Sequence, residues 1–245
     1  MKALISVVRI WVVRVASLFY FKNRSKVIFY HDIHSDKQYT DMSTPIELFK
    51  KHINIVRESG YEIVNEITNT KGQIEICFDD AFLGLYDNIE LIKEQNIPVN
   101  LFVISSFLEK ENHINTEQLI ELSKLEQVTI SSHTKSHKTL NCISENEAKQ
   151  ELKDSKFELE NLIKMEVTSL CFPEGKFNCN VIEIAKKLGY IKLYSSLPGF
   201  YIDEFFPNIK KRSLVQFSEE KEFKAILKGG DHVLGLWYKF KHFSK

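Results

Sequence analysis

Between residues 27 and 195 short apolar runs alternate with longer segments of helical periodicity. VIFY at 27–30 reads as a strand that ends at His31. Thr44-Pro45-Ile46-Glu47 predicts a helix start: Thr44 as the cap, Pro45 in the first turn, Glu47 completing a capping box. Leu48, Ile53 and Val56 continue its apolar face, and Gly60 stops it. IEICF at 74–78 is the next strand, closed by Asp79 and Asp80, with a helix expected over about 84–95. VNLFVI at 99–104, a helix at 116–124 and a strand at 128–131 follow. Ser144-Glu145-Asn146-Glu147 is a second capping box, opening a charged helix that runs to about Lys164. A strand at 168–172, a helix at 180–188 ended by Gly189, and a strand at Tyr190–Tyr194 complete the rhythm.

Strand and helix in regular alternation imply parallel strands joined by helical crossovers, an α/β fold built as a barrel or an open sheet. Pattern alone does not choose between the two. The acidic and histidine-bearing segments follow directly after strands, where such folds place their active sites. No repeat or linker interrupts the chain, so the simplest division is an appendage at 1–25 and one domain at 26–245.

Composition narrows the class. The 245 residues are 43% hydrophobic and 27% charged, a globular balance that excludes a disordered, collagen-like or coiled-coil chain. Basic and acidic residues tie at 33 each, so no global field favours nucleic acid. Cys77, Cys142, Cys171 and Cys179 are too few for a disulfide framework and lack zinc-site spacing.

The neutral total conceals an asymmetric start. Residues 1–26 hold six basic side chains and no acid, leaving 27 basic against 33 acidic side chains in the remainder. The opening MKALISVVRIWVVRVASLFYF is strongly apolar, but Arg9 and Arg14 break it, so it is a poor spanning segment. As a helix it groups Lys2, Ser6, Arg9 and Ser17 on one side, with Arg14 off that stripe. That pattern fits a helix lying in a membrane surface with its arginines reaching the headgroups, a covering helix packed on the core, or an atypical spanning or export segment. A cleaved signal peptide fits badly. The tail WYKFKHFSK at 237–245 again mixes aromatics with lysines, as a second interfacial contact or a packed terminal element would.

Three segments carry candidate chemistry. Asp79-Asp80 places two carboxylates at the end of an apolar strand, where consecutive side chains point apart and can divide metal binding from proton transfer. Ser132-His133-Thr134-Lys135-Ser136-His137 brings two imidazoles four residues apart after another strand, suited to zinc or its first-row neighbours. Cys171-Phe172-Pro173-Glu174-Gly175 ends a third strand in a turn able to aim backbone N–H groups into a pocket.

In this order, FDDA, SHTKSH and FPEG resemble the polysaccharide deacetylase family, the NodB-homology domain or carbohydrate esterase family 4, over about residues 26–215. YHDI at 30–33 is similar to the YH-containing opening strand of membrane-linked and exopolysaccharide-acting members. The resemblance implies a distorted (β/α) barrel of about seven parallel strands and metal-dependent removal of acetyl groups from N-acetylated sugars. It implies Asp79 as general base and Asp80, His133 and His137 as ligands of one divalent metal, zinc first, with cobalt, nickel or manganese as alternatives. The backbone of Glu174 would supply an oxyanion N–H.

Three positions depart from the family pattern. Cys171 stands where an arginine usually orients the catalytic aspartate, Glu174 replaces an aromatic, and Ala81 replaces a glycine. The family's late histidine acid has two candidates by position, His232 and His242, of which His232 in GGDHVL is the better placed. His31, with Cys171 and Pro173, could instead line the pocket. The expected activity is a deacetylase of a cell-surface or lipid-linked glycan. A non-catalytic binder of glycan or metal, and a hydrolase of small non-peptide amides, are the alternatives. Four cysteines and no clean export signal lean towards the cytoplasmic face of a membrane.

Overall fold

A computed structural model describes residues 2–19, 23–202, 208–235 and 238, the side chains of 2–7 excepted. The tail 237–245, apart from Tyr238, and with it His242, lies outside the described residues. The strands are β1 (Lys26–Tyr30), β2 (Asp32–His34), β3 (Ser43–Pro45), β4 (Glu62–Ile63), β5 (Gln73–Asp79), β6 (Val99–Val103), β7 (Val128–Ser132), β8 (Ser169–Cys171), β9 (Lys192–Tyr194), β10 (Ile209–Lys210) and β11 (Arg212–Leu214). The helices are α1 (Lys2–Ala16), α2 (Ile46–Glu58), α3 (Leu83–Asp87), α4 (Ile89–Glu94), α5 (Thr116–Ser123), α6 (Glu145–Ile163), α7 (Cys179–Lys187) and α8 (Glu220–Leu227).

The main sheet runs β10-β9-β8-β7-β6-β5-β1-β11, and every neighbouring pair is parallel. Its two ends are one stretch of chain. Ile209 and Lys210 pair with β9, and Arg212 to Leu214 pair with β1. Segment 209–214 is therefore a single stave hydrogen-bonded on both sides, and the sheet closes with seven staves. Closure buries both faces of each strand, which is why the strands read as continuous apolar runs rather than alternating ones. Inside lie Val27, Phe29, Cys77, Phe102, Cys171 and Tyr194. The larger core lies between the staves and the helices and includes Ile28, Phe49, Ile76, Leu101, Leu152 and Phe223.

Local signals held where the chain could satisfy them locally. Ser144 caps α6, its hydroxyl accepting from the Glu147 N–H while the Glu147 carboxylate accepts from the Ser144 N–H. The capping box expected at Thr44 does not form. Thr44 belongs to β3, and its buried hydroxyl donates to the Gln216 carbonyl at 2.9 Å, so α2 begins behind Pro45 without a side-chain cap. The helix expected over 84–95 is two helices broken at Asn88, whose side-chain amide donates to the Gly84 carbonyl at 2.8 Å. Gly84 is required by crowding: a β-carbon there would stand 2.1 Å from the Ile33 carbonyl oxygen.

Helix α1 packs on α8. Val13 enters the core at 1% exposure, and Arg9, expected to reach outward, instead pairs with the buried Glu222 carboxylate at 2.8 Å. A buried carboxylate needs a partner, and Arg9 is the cation within reach.

Candidate active site

The C-terminal ends of β1, β5, β7 and β8 converge at one mouth of the barrel. β5 ends in Asp79, and Asp80 and Ala81 follow in the left-handed region at φ 69° and 58°. Thr134 (67°), His137 (61°) and Glu174 (56°) share that conformation. Non-glycine residues pay to adopt it, so five such residues at one mouth mark backbone strained in order to place side chains. Ala81, where a glycine would be relaxed, bears part of that strain.

The left-handed step turns Asp80 away from Asp79 and towards the histidines. The Asp80 Oδ1 atom lies 3.5 Å from His133 Nε2 and 3.7 Å from His137 Nε2. His133 Nδ1 is 2.9 Å from the Cys171 carbonyl, which requires the proton on Nδ1 and leaves the Nε2 lone pair facing Asp80. Burial pushes the His133 imidazole below its ordinary pKa, towards the neutral form that ligates metals. The three donor atoms lie within 4.8 Å of one another, and buried Asp80 Oδ1 has no hydrogen-bond donor among the described residues. A buried carboxylate oxygen facing two imidazole lone pairs is repulsive unless a cation sits among them, so these residues fit a divalent metal.

Helix α6 holds the histidine loop from outside. Glu151 accepts from the Ser136 N–H at 2.8 Å and from the Ser136 hydroxyl at 2.6 Å. Lys135 is gripped by Asp154 at 2.9 Å and Glu158 at 3.0 Å. One face of this charged helix is therefore a clamp on residues 135 and 136.

Asp79 points into the barrel and meets a guanidinium from an unexpected strand. Arg212, fully buried on β11, donates from Nη1 to Asp79 Oδ1 at 2.7 Å and from Nη2 to Oδ2 at 2.8 Å. Its Nη2 also approaches Cys171 Sγ at 2.8 Å, and its Nε donates to the Ser195 carbonyl at 3.0 Å. The rings of Phe29 and Phe102 lie 4.3 and 5.1 Å from the guanidinium carbon. Burial alone would push the Asp79 carboxyl up; the fork of Arg212 more than offsets this and holds it at about 2. Cysteine at 171 thus does not leave the aspartate without its arginine. The small thiol makes room for a guanidinium arriving from the closing stave. The sequence reading missed Arg212. The available signal was the short strand-like segment IKKRSLV, whose charged residues suit a strand with one polar face inside a barrel.

Register places His31 in the same mouth. Tyr30 pairs with Phe78, so the next residue, His31, stands beside Asp79. Its Nδ1 is 2.7 Å from Gln216 Oε1, which orients the ring from the loop after β11. Pro173 is buried as the first residue of the turn that carries Glu174, and the Glu174 carboxylate, held below its usual range first by Lys176, also lies in the field of His137. His232 is elsewhere. Its ring packs on Phe200, with centroids 5.3 Å apart, beside Gly199, whose carbonyl accepts from Lys26 at the start of β1. That is the opposite end of the strands, because the chain descends through α8 before reaching residue 232. His232 therefore stands at the far end of the barrel from Asp79 and the histidines, out of reach of the acid's role expected of it.

Comparison with known proteins follows the same lines. The sequence model of the family described as Polysaccharide deacetylase matches residues 66–192, more than half of the chain. YxkH of Bacillus subtilis (strain 168), named for the polysaccharide deacetylases, is 26% identical over 184 residues, covering 71% of this chain. The matched region spans 64% of that relative's length. The deacetylase PplD of Streptococcus pyogenes, solved in complex with acetate, superposes with a TM-score of 0.72 at 19% identity, over 82% of this chain and 96% of its own. The polysaccharide deacetylase BC0361 of Bacillus cereus gives 0.72 at 20% identity, over 85% and 70%. At such identities the superpositions establish the fold, an α/β architecture shared with these enzymes, and the family match carries the assignment: the chain belongs to the polysaccharide deacetylase family, a family of deacetylase hydrolases.

Proposed function

We propose that this protein removes N-acetyl groups from amino sugars of a cell-envelope polysaccharide or lipid-linked glycan. The observation that carries the reading is the joint arrangement at the mouth: Asp80, His133 and His137 within mutual reach, beside an aspartate held ionised by a buried arginine. Asp80, His133 and His137 would hold one divalent cation, and two imidazoles with one carboxylate suit zinc before manganese. Such a cation supplies polarisation of the acetamide carbonyl and a lowered pKa for water.

The chain's own groups do the rest. Asp79 accepts the proton of the attacking water. Both its oxygens bond to Arg212, but each keeps a further lone pair for that task. The Glu174 N–H, presented by the left-handed turn, donates to the oxygen that gathers negative charge. His31, its ring fixed through Gln216, protonates the departing sugar amine. Cysteine at 171 permits a non-catalytic binder of glycan or metal; the Arg212 fork on Asp79 supports the catalytic reading instead.

The test is metal content and acetate release in parallel. Wild type, loaded with zinc or cobalt, is expected to bind about one equivalent and to release acetate from N-acetylated oligosaccharides. His133→Ala and His137→Ala should lose both. Asp79→Asn should keep the metal and lose turnover. Absence of metal uptake by wild type, or normal turnover by D79N, would reject the mechanism. A panel including simple acetamides separates the glycan from small-amide substrates.

A further inference from the structure

Helix α1 is mounted inside out. A helix that merely covers a domain turns its apolar stripe inward. Here Arg9, Val13 and Ser17 face the protein, through the Arg9–Glu222 pair and contacts of Val13 and Ser17 with the neighbourhood of Gly230. The apolar stripe Val8, Trp11, Val12, Val15, Leu18 and Phe19 faces outward over about a third of the circumference. Trp11 is 65% exposed and Phe19 79%, among the most exposed large hydrophobic side chains described. The helix cannot roll to hide them without breaking the ion pair and withdrawing Val13 from the core.

The surround is cationic. Between α1 and α8 lies an open hollow of about 470 Å³ whose lining joins Trp11, Val15 and Leu18 of the stripe to Arg14, Lys221, Lys224 and Lys228. No acidic side chain lines it among the described residues. Glu220 reaches Lys224 at 2.6 Å from outside the hollow. An apolar ridge carrying an indole, flanked by lysines and an arginine, complements a bilayer surface in both its parts. Acyl chains accept the ridge, and anionic headgroups accept the cations. A second protein copy would have to present a matching apolar and acidic face, and this face is itself basic.

We infer that the α1/α8 face docks on the surface of an anionic phospholipid bilayer, α1 lying in the headgroup plane without crossing it. No helix among the described residues is long and apolar enough to span a membrane. The inference stands on this face alone and does not depend on the reaction proposed above.

Co-sedimentation of the full chain with vesicles of phosphatidylcholine, with and without phosphatidylglycerol, tests it. Wild type should bind the mixed vesicles, and added salt should weaken binding. In a Trp237→Phe background, Trp11 fluorescence should shift to the blue on binding. Trp11→Ser/Leu18→Ser/Phe19→Ser should abolish association. Lys221→Gln, Lys224→Gln and Lys228→Gln should each weaken it by about fivefold. Trp11, Leu18, Phe19 and the three lysines are exposed, so urea midpoints should stay unchanged from the parent protein and report that the variants fold. No binding by wild type at low salt, or binding unchanged in the serine variant, would overturn the inference. So would a dimer in analytical ultracentrifugation that the serine variant dissociates while vesicles capture nothing, which would assign the face to a second copy.

Discussion

Replacing Arg212 by methionine tests the reasoning about the barrel interior most directly. The guanidinium is fully buried and serves both oxygens of Asp79, the Ser195 carbonyl and the Cys171 sulfur. Methionine keeps much of the stem between Phe29 and Phe102 but strands a carboxylate in an interior that cannot solvate it. Breaking a buried pair from one side costs about 3–5 kcal/mol. Asp79→Asn strands the guanidinium instead and should cost a similar amount. The double variant leaves no unpaired charge, so its loss should fall short of the sum of the singles by about 2–3 kcal/mol, the upper range of measured couplings. Arg212→Lys keeps the charge but not the two-pronged geometry, and should lie between wild type and R212M. Urea denaturation of wild type and the four variants, with acetate release measured on the folded fraction, gives both readouts. Additivity of the two single losses within about 0.5 kcal/mol would refute the coupling. Full turnover by R212M would refute the orienting role even if the coupling were present.

Other perturbations probe separate parts of the structure. Glu151→Ala removes the α6 grip on Ser136 without touching a donor atom, and should weaken zinc affinity about 10–100-fold by competition with a chelator; unchanged affinity would show that the loop holds its own shape. His31→Gln should depress turnover of amide substrates far more than of acetyl esters with acidic leaving groups, because only the amine needs a proton to depart; equal losses on both would deny the acid role. His52 is buried between Tyr30 and Ser218, and burial lowers its pKa from 6.5 to about 4. The unfolded chain then takes up this proton first, so stability should fall as pH drops from 6.5 to about 4, by up to about 3 kcal/mol. His52→Gln should remove that part of the acid loss, and an unchanged pH profile would contradict the assignment. Gly84→Ala, forced against the Ile33 carbonyl, should destabilise by about 1–3 kcal/mol in thermal unfolding.

The sequence by itself determined whatever depends on near neighbours. Helical periodicity and caps such as Ser144 specify helices because those hydrogen bonds close within a few residues, and the strands were legible as apolar runs because the closed sheet buries both of their faces. Asp79, Asp80, His133, His137 and Glu174 were legible as a set because FDDA, SHTKSH and FPEG stand at or just after strand ends in the order of the family they resemble, and parallel strands bring such ends to one edge. Tertiary structure decided what depends on partners far along the chain. Arg212 meets Asp79 across 133 residues, and only barrel closure through segment 209–214 puts them together. The same closure draws Gln216 onto His31 and onto the Thr44 hydroxyl, which costs α2 its cap and fixes the candidate acid. His232 looked plausible in sequence order and lies at the wrong end, since order along the chain does not say which way a connection runs. For α1, the periodicity located an apolar stripe. Which side it presents was settled by Glu222, a buried acid on another helix whose need for a cation turned Arg9 inward and the stripe out.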